Sequence, residues 1–565
     1  MNFIFNLLYA SAYPILLIIM FYYLYKHNIY GNIIKNNNRN IIINTLVFNS
    51  IILLFLFVFF YFEDTIYQYD YAGHWYRYLS VNNGGNISTL KNIIISMNYH
   101  EYSLLPAFLQ YGFTFISNTY EMFTISIVIY YLIPIVYLLN IIYFKYFNKY
   151  KYLPIFICVV FFPLYITIFY GKVGISGLLF ILYIIMLVFL VDFNSITIYD
   201  NLVINGCGFM MIFLRRWYLY ALIGIYITYF IKYLISNNFK IFNKKGLNDF
   251  IKILMSGLLL LIILLTIFLP YTKGVLTNNF QEGYIMYQFN HHIDHLIYFI
   301  SPIIVLISLY GIYIILKNKG YNTLIYVICL IIIPMIMFIQ IQSLDQHHYY
   351  IISYVMLFLF TIGLYHLINY KVLFIIISLF MIFQLSIIFI PNKVISPLLV
   401  SHRRFPEVNV YKGQFRDLAN YIKSHLGTTG KAYVATGDYS FNSELIKNSL
   451  LPNKELPNLV DNVYDLRDGF VDNINDIDII IFTDPILYSL GPEHQYAYDV
   501  LFNAITKEDI FKEIYSLELN QYICGNNVLS YKKYGEYKDY HKEYLYNKMI
   551  ERYPDNKELF SSILD

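Results

Sequence analysis

Long apolar stretches separated by short polar segments run from Phe3 to Pro391. Stretches of about 18–23 apolar residues are long enough to cross a hydrocarbon core of about 30 Å as a helix. We predict about twelve such spans, of which the sixth is short. Their ranges are Phe3–Tyr25, Ile42–Phe62, Tyr120–Phe144, Tyr152–Tyr170, Leu178–Phe193, Leu202–Leu214, Trp217–Leu234, Ile251–Pro270, Leu296–Leu316, Thr323–Ile341, Tyr349–Leu367 and Val372–Pro391.

One further apolar stretch, Leu104–Phe115, is too short to span and predicts an interfacial or re-entrant helix. The first apolar stretch lacks a basic leader and a small-residue cleavage site, so we interpret it as a retained helix. Residues 1–395 are therefore predicted to form an α-helical polytopic membrane domain. Its large outer loops would be 63–119 and 271–295.

Lysine and arginine in short loops predict the orientation, because they concentrate on the cytoplasmic side. Five basic groups fall on one face if the twelve spans alternate, although Lys172 falls on the other. The groups are Lys26, Lys35 and Arg39; Lys145, Lys149 and Lys151; Lys240, Lys244, Lys245 and Lys252; Lys317 and Lys319; and Lys371. Both termini are then predicted to lie outside a plasma (inner) membrane that the chain crosses many times.

The apolar stretches stop near residue 395, and residues 396–565 predict a small extracytoplasmic α/β domain. Its elements would be helix Gln414–His425, strand Lys431–Thr436, buried strand Ile477–Phe482, helix Glu493–Ile505, and hairpin Tyr522–Tyr531 broken at Gly525 and Asn526. The tail carries no nucleotide-binding or hydrolase motif, which favours a regulatory or acceptor-binding module.

Composition supports a membrane protein and little else. The chain is 58% hydrophobic and 13% charged, against about 25% charged in soluble domains. The net charge of +3 says little about partners, and we expect no nucleic-acid partner. Four scattered cysteines show no metal or disulfide spacing.

Three carboxylates follow the second span: Glu63, Asp64 and Asp70. Carboxylates at a low-dielectric boundary can have raised pKa values and can accept a proton. For any one of these acids taken alone, a solvated loop charge is the favoured explanation. Their clustering with His74, Trp75 and Arg77 makes a catalytic or substrate-binding site an equal alternative.

Two arginines, Arg215 and Arg216, precede Trp217 on the predicted outer face, against the usual charge bias. Arg403 and Arg404 follow the last span in the same way. The planar guanidinium binds a phosphate with two hydrogen bonds, which predicts donor-phosphate binding. The alternative is ordinary contact with lipid head groups.

Histidines and acids also gather in the later outer loops. The set is His291, His292, Asp294, His295, Asp345, His347 and His348. Imidazole and carboxylate suit a divalent metal, for which Asp294, His295 and His348 are candidates. Without a known zinc motif, substrate binding by His291, His292 and His347, or a role as ordinary interfacial histidines, is favoured over a metal site. The only cofactor that these residues suggest is a divalent metal ion. His100 and Glu101 are further substrate-binding candidates.

This layout resembles the GT-C superfamily of integral-membrane glycosyltransferases, which includes protein O-mannosyltransferases and aminoarabinose transferases. Acids in the first large outer loop, the short apolar segment Leu104–Phe115 and a C-terminal domain carry the resemblance. Within the superfamily, Asp70–Tyr76 and Asn98–Pro106 look like stretches of uncharacterised bacterial membrane proteins. The loop follows the second span here, whereas in the superfamily it usually follows the first.

The resemblance implies an inverting transfer of a hexose or pentose from a polyprenyl phosphate to a hydroxyl of a glycan, lipid or protein. Asp70 or Asp64 would take the acceptor proton, and Arg215 and Arg216 would stabilise the leaving phosphate. A divalent ion could assist, although some members of the superfamily need none.

Three other functions remain open. O-antigen polymerases and ligases share the many spans and the arginines, but their large loop usually comes late in the chain. A transporter of lipid-linked sugars predicts charges at mid-span and internal repeats, which the sequence lacks. A non-enzymatic membrane scaffold that displays the C-terminal domain would not explain why the acid cluster and the arginines Arg215 and Arg216 occur together.

Overall fold

The computed structural model describes most of the chain. The described residues are 2–68, 70–81, 87–99, 103–147, 150–160, 166–189, 197–239, 244–277, 300, 302–340, 346–387, 408–426, 429–450, 456, 458–460, 470–471, 473–489 and 492–564.

The chain divides into two compact units. The first comprises Met1–Phe62 and Asp70–Pro406, and the second comprises Glu63–Tyr69 and Glu407–Asp565. Seven residues that follow the second predicted span thus belong with the C-terminal residues, although the sequence suggests that they are part of a membrane-domain loop.

The described part of the first unit is helical. Its helices are α1 (Asn2–Lys26), α2 (Asn28–Phe62), α3 (Asp70–Val81), α4 (Ile87–Tyr99), α5 (Leu105–Leu109), α6 (Tyr120–Tyr146, with a π-helical turn at Val128–Leu132), α7 (Leu153–Val160), α8 (Ile175–Phe189), α9 (Ile198–Leu214), α10 (Tyr218–Ser236), α11 (Lys244–Thr266), α12 (Leu269–Thr277), α13 (Pro302–Lys317), α14 (Tyr321–Ile339), α15 (Tyr350–Leu367) and α16 (Lys371–Ile387). Short 3-10 turns lie at Tyr111–Phe115, Ile166–Tyr170 and Gln346–Tyr349.

Within the described residues, six helices are long and apolar enough to cross a membrane. They are Asn6–Lys26, Tyr30–Phe62, Tyr120–Tyr146, Tyr218–Ser236, Tyr321–Ile339 and Tyr350–Leu367. Each of the twelve predicted ranges contains helix, but several of these helices are shorter than a span requires. The polytopic helical character is therefore present, while twelve crossings stay a prediction.

The first predicted outer loop contains more structure than its polar sequence suggests. Helices α3 and α4 occupy much of it. The predicted helix Leu104–Phe115 is instead divided at Gln110 into α5 and a 3-10 turn. Leu105, Ala107 and Tyr111 are buried, because this segment packs against α1 and α3.

The second unit is built on a five-stranded sheet with strand order β2-β1-β3-β5-β4. The strands are β1 (Lys431–Val434), β2 (Leu459–Val460), β3 (Ile477–Asp484), β4 (Tyr515–Ile523) and β5 (Asn526–Lys533). Strands β1, β2 and β3 run parallel, whereas β5 pairs antiparallel with both β3 and β4. The predicted hairpin turns at Cys524 and Gly525, both with positive φ.

Helices of the second unit are α17 (Lys412–Leu426), α18 (Ser443–Asn448), α19 (Pro492–Lys507) and α20 (Asp539–Arg552), with 3-10 turns at Ile474–Asp476, Asp509–Glu513 and Ser561–Ile563. Two apolar clusters form its core. In β3, Ile479 and Ile481 belong to one cluster, and Ile480 and Phe482 to the other. This alternation places one cluster on each face of the sheet and confirms the predicted α/β character of the tail.

The segment Glu63–Tyr69 is an integral part of this second unit. Ile66 is only 4% exposed and packs in the cluster that contains Phe415. The backbone N–H of Asn409 donates to the carbonyl oxygen of Asp64 (2.8 Å), and the Asn448 amide donates to the carbonyl oxygen of Tyr67 (2.6 Å). These contacts, with the isolated β-bridge between Asp64 and Val408, hold the segment in the C-terminal unit.

Candidate functional site

Helix α3 holds one wall of the candidate site and is anchored by aromatic side chains. The indole nitrogen of Trp75 donates to the carbonyl oxygen of Asn118 (2.9 Å), and its ring meets Tyr120 edge-on. The Tyr78 hydroxyl donates to the carbonyl oxygen of Ser117 (3.0 Å). These bonds tie α3 to the start of α6 and bury His74, which is 5% exposed.

The opposite wall is the turn between α9 and α10. Arg215 ends α9 because its backbone is extended (φ −155°, ψ 114°), and its N–H still donates to the carbonyl oxygen of Met211. The carbonyl oxygens of Arg215 and Arg216 accept from the N–H groups of Tyr218 and Leu219 at 3.0 Å. Arg215 is consequently buried, with 6% exposure, and Arg216 is half-buried.

The two walls meet in a buried hydrogen bond. Nη1 of Arg215 lies 3.2 Å from Nε2 of His74. A guanidinium can only donate, so Nε2 accepts and the imidazole is neutral with its proton on Nδ1. A second contact joins the first predicted outer loop to the end of α9, where the hydroxyl of Ser103 donates to the carbonyl oxygen of Phe213 (2.6 Å).

The aromatic residues Trp217 and Tyr218, which follow Arg215 closely in the chain, extend the candidate site. Trp217 stacks on Tyr218 with ring centroids 4.0 Å apart and meets His348 edge-on at 5.5 Å. Tyr218 is held by a hydrogen bond from its hydroxyl to the carbonyl oxygen of Gly174 (2.7 Å). Gly177 is required here, because a Cβ at that position would overlap the ring of Tyr218.

Tyr271 adds a hydroxyl near Arg216. Its ring packs on Phe213 with centroids 5.0 Å apart. Burial raises the pKa of Tyr271, an effect that the Arg216 charge partly opposes. The phenol therefore stays protonated at neutral pH. Its buried oxygen has no hydrogen-bond partner within the part of the chain that the structure describes.

Several predicted site residues therefore come together in the first unit. His74 and Arg215 bond directly, and Trp217 connects the arginine turn with His348. Trp75, predicted to bind substrate, anchors α3 through Asn118. Asp70 begins α3, one helical turn before His74.

Asp64 and Glu63 belong to the second unit, unlike Asp70. Asp64 forms an ion pair with Lys412, with Oδ1 2.5 Å from Nζ. The Asp64 side chain is 61% exposed and that of Lys412 is 28% exposed. The two residues predicted as alternative general bases, Asp70 and Asp64, thus lie in separate units.

The remaining predicted site residues lie outside the described residues. They are His100, Glu101, His291, His292, Asp294, His295, Asp345, Arg403 and Arg404, together with the side chains of Asp70 and His347. Among the residues searched, no group of three or more His, Cys, Asp or Glu side chains could hold a metal ion. His348, a predicted metal candidate, packs against the rings of Trp217 and Phe338.

Sequence reasoning missed the aromatic part of this site. Tyr218 and Tyr271 are two of 62 tyrosines, so their residue type carries no signal. Trp217 is one of only two tryptophans and follows Arg215 and Arg216 directly, which is the signal that could have identified it.

Comparisons of the chain with family models, with curated proteins and with solved structures find no match.

Proposed function

We propose that this protein is a membrane glycosyltransferase that moves a sugar from a polyprenyl phosphate to an acceptor hydroxyl with inversion. The observation that carries the proposal is the buried hydrogen bond between Arg215 and His74. It joins an arginine suited to a phosphate with the helix that begins at Asp70.

Arg215 is the proposed ligand of the donor phosphate. An arginine removed from water binds a phosphate oxyanion more strongly than an exposed one, because the surrounding dielectric is low. His74 accepts one N–H of the guanidinium, which orients the planar group. Arg216 and the protonated Tyr271 hydroxyl are further donors for the charge that develops on the leaving group.

The proposed base is Asp70. The acceptor oxygen attacks the anomeric carbon as the bond from that carbon to the phosphate oxygen breaks. The acceptor proton passes to the Asp70 carboxylate, and the electron pair of the broken bond leaves with the polyprenyl phosphate. The rings of Trp217 and Tyr218 provide an apolar wall that limits the access of water, which would otherwise compete with the acceptor.

The proposal includes the predicted topology. Twelve crossings with both termini outside would put the arginine turn and the C-terminal domain on the outer face of the plasma membrane. The acceptor would then be a cell-envelope glycan, lipid or protein. Two arginines beside an outer boundary are unusual for a membrane protein unless they bind an anion.

The test uses the full chain in vesicles with a radiolabelled polyprenyl-phosphate sugar. Arg215→Gln should weaken binding of polyprenyl phosphate and lower transfer by roughly a hundredfold or more, as loss of one charge-stabilising donor does. Asp70→Asn should abolish transfer and keep the binding of polyprenyl phosphate. The matched control is Arg39→Gln, because Arg39 is an exposed arginine on the apolar helix α2.

Either of two results would contradict the proposal. Unchanged binding of polyprenyl phosphate by Arg215→Gln would remove the phosphate site. Full transfer activity in Asp70→Asn would remove the base.

A further inference from the structure

A cavity in the first unit has a lining quite different from the residues of the arginine site. Its volume is about 250 Å³, and it lies among α6, α7, α8, α14 and α15. Among its walls are Tyr146 of α6, Leu182 of α8, Leu330 of α14 and Phe358 of α15. Among the lining side chains that the structure describes, none is charged.

The cavity is separate from the proposed phosphate site along the helices. Helix α8 begins at Ile175, directly after Gly174, whose carbonyl oxygen binds Tyr218. The lining residues of α8 run from Leu182 to Phe189. At 1.5 Å per residue they lie roughly 10 to 20 Å from the start of the helix.

The chemistry of the lining favours hydrocarbon over water. The hydroxyl of Tyr143 donates to the carbonyl oxygen of Tyr150 (3.0 Å), and that of Thr361 donates to the carbonyl oxygen of Leu357 (2.7 Å). These groups are thus satisfied within the protein. A buried water needs two to four polar partners, and apolar cavities otherwise stay dry or take apolar ligands.

The surrounding medium supplies such a ligand. Three of the lining helices, Tyr120–Tyr146, Tyr321–Ile339 and Tyr350–Leu367, are among those long and apolar enough to cross a membrane. A cavity between membrane-spanning helices faces a solvent of lipid chains. Protein interiors leave few voids larger than a water molecule, so a cavity of about 250 Å³ is unusual unless something fills it. A segment of an aliphatic lipid chain fits this space.

One cation lies next to the cavity. Nζ of Lys145 is 5.5 Å from the centroid of the Tyr146 ring, which lines the cavity, and 5.8 Å from the Tyr30 ring. Lysine and tyrosine together are typical of the interface between hydrocarbon and head groups. A positive charge there favours an anionic head group.

An ester lipid fits these features better than a polyprenyl chain. The hydroxyl of Tyr354, a lining residue, is buried and has no hydrogen-bond partner among the described residues. A glycerophospholipid carries ester oxygens next to its chains, whereas the oxygens of a polyprenyl phosphate are confined to its phosphate end.

We propose that this cavity binds one acyl chain of an anionic glycerophospholipid, with the lipid phosphate beside Lys145. The site does not depend on the proposed glycosyl transfer. It would hold a structural lipid between α6, α8 and α15.

The test measures lipid retention by the full-length protein. The protein is reconstituted in nanodiscs of equal parts phosphatidylglycerol and phosphatidylcholine, released, and analysed by native mass spectrometry. The wild-type chain should retain one phosphatidylglycerol. Leu182→Trp, which fills the cavity, should lower retention about tenfold, and Lys145→Gln should remove the preference over phosphatidylcholine. Ile336→Trp is the matched control, because Ile336 is 54% exposed on α14.

A measurement on the unmodified chain keeps the proposal testable if Leu182→Trp fails to fold. Phosphatidylglycerol with a photoreactive group in its acyl chain should cross-link to the segments around Tyr354 and Phe358. Cross-links confined to the exposed face around Ile332 and Ile336 would overturn the proposal. Equal retention of both phospholipids would also overturn it.

Discussion

A guanidinium and an imidazole share one buried hydrogen bond in the first unit, and their chemistry fixes the protonation of the ring. Arg215 must donate, so His74 must accept and be neutral. Protonation of His74 would place two positive charges at this contact and remove the acceptor. Neutral His74 thus stabilises the guanidinium of Arg215, a cation that is otherwise costly to bury.

Substitutions of His74 test this support. His74→Leu should reduce the free energy of unfolding by about 1–3 kcal/mol, because a buried donor of Arg215 loses its acceptor. His74→Gln keeps an acceptor and should recover part of that loss. Unfolding in detergent followed by tryptophan fluorescence measures both changes.

His366→Leu is the control for this pair, since His366 is a half-buried histidine on α15. Equal stability of His74→Leu and wild type would show that the hydrogen bond contributes nothing measurable.

The candidate site could be predicted from sequence only in part. Arg215 stands out because it opposes the positive-inside rule in the predicted topology, and His74 because it follows the acids of the first predicted outer loop. Their pairing joins residues 141 positions apart, and no local pattern encodes such a contact. The aromatic walls around Trp217 were hidden because aromatic residues make up 20% of the chain.

Helix packing in the first unit includes a close approach of α13 and α15. A Cβ at Gly311 would overlap the carbonyl oxygen of Leu359, and a Cβ at Gly363 would overlap that of Ile307. Small residues allow such backbone contact, which stabilises helix pairs in membranes by packing. The contact fixes α15, which carries both Tyr354 and Tyr350.

Gly363→Ala should therefore separate the two helices and lower the free energy of unfolding by about 1–3 kcal/mol, a cost typical of overpacking. Gly257→Ala is a matched control, because a Cβ at Gly257 meets no heavy atom within 4 Å. There the higher helix propensity of alanine should leave stability unchanged or raise it by up to about 1 kcal/mol. Denaturant titration in detergent compares the two variants, and equal stabilities would contradict the packing argument.

At the scale of elements, the length of an apolar run predicts a helix reliably, whereas a polar loop sequence does not reveal the helices within it. The ranges of α1, α6, α10, α14 and α15 follow the predicted spans closely, because the apolar runs there are continuous. Helices α3 and α4 were missed, since they lie in a loop where polar residues interrupt the pattern. In the tail, β3 was predicted well because Ile477–Phe482 is a compact apolar run.

At the scale of the whole molecule, the location of the tail can be tested with a natural cysteine. Cys524 lies partly exposed in the turn between β4 and β5, whereas Cys158 and Cys207 are buried. If the tail is outside, a membrane-impermeant maleimide should label Cys524 in intact cells. Burial, and then the charge of Asp438, raises the pKa of this thiol. Labelling should accelerate by roughly tenfold per pH unit above neutrality, until the pH reaches the thiol pKa.

Cys524→Ser should abolish this labelling and serves as its control. Cys329 lies in the apolar helix Tyr321–Ile339, where a water-soluble reagent should react poorly. Labelling that requires cell lysis would place the tail in the cytoplasm and reverse the predicted orientation.

Glu63–Tyr69 and Glu407–Asp565 belong to one unit. This imposes a rule on the number of times that the chain between them crosses the membrane. A folded unit cannot have a bilayer running through it, so both pieces must lie on the same side. The chain from Asp70 to Pro406 must then cross the membrane an even number of times. The ten spans predicted there satisfy the rule, whereas nine or eleven would not.

The rule can be checked by labelling two positions in one protein. A cysteine introduced by Thr65→Cys should react from the same side of the membrane as Cys524. Opposite sides would mean that the two pieces never meet in the cell. If both pieces lie on one side, the number of spans between them is even. A predicted span that is absent must then be accompanied by a second error in the span count.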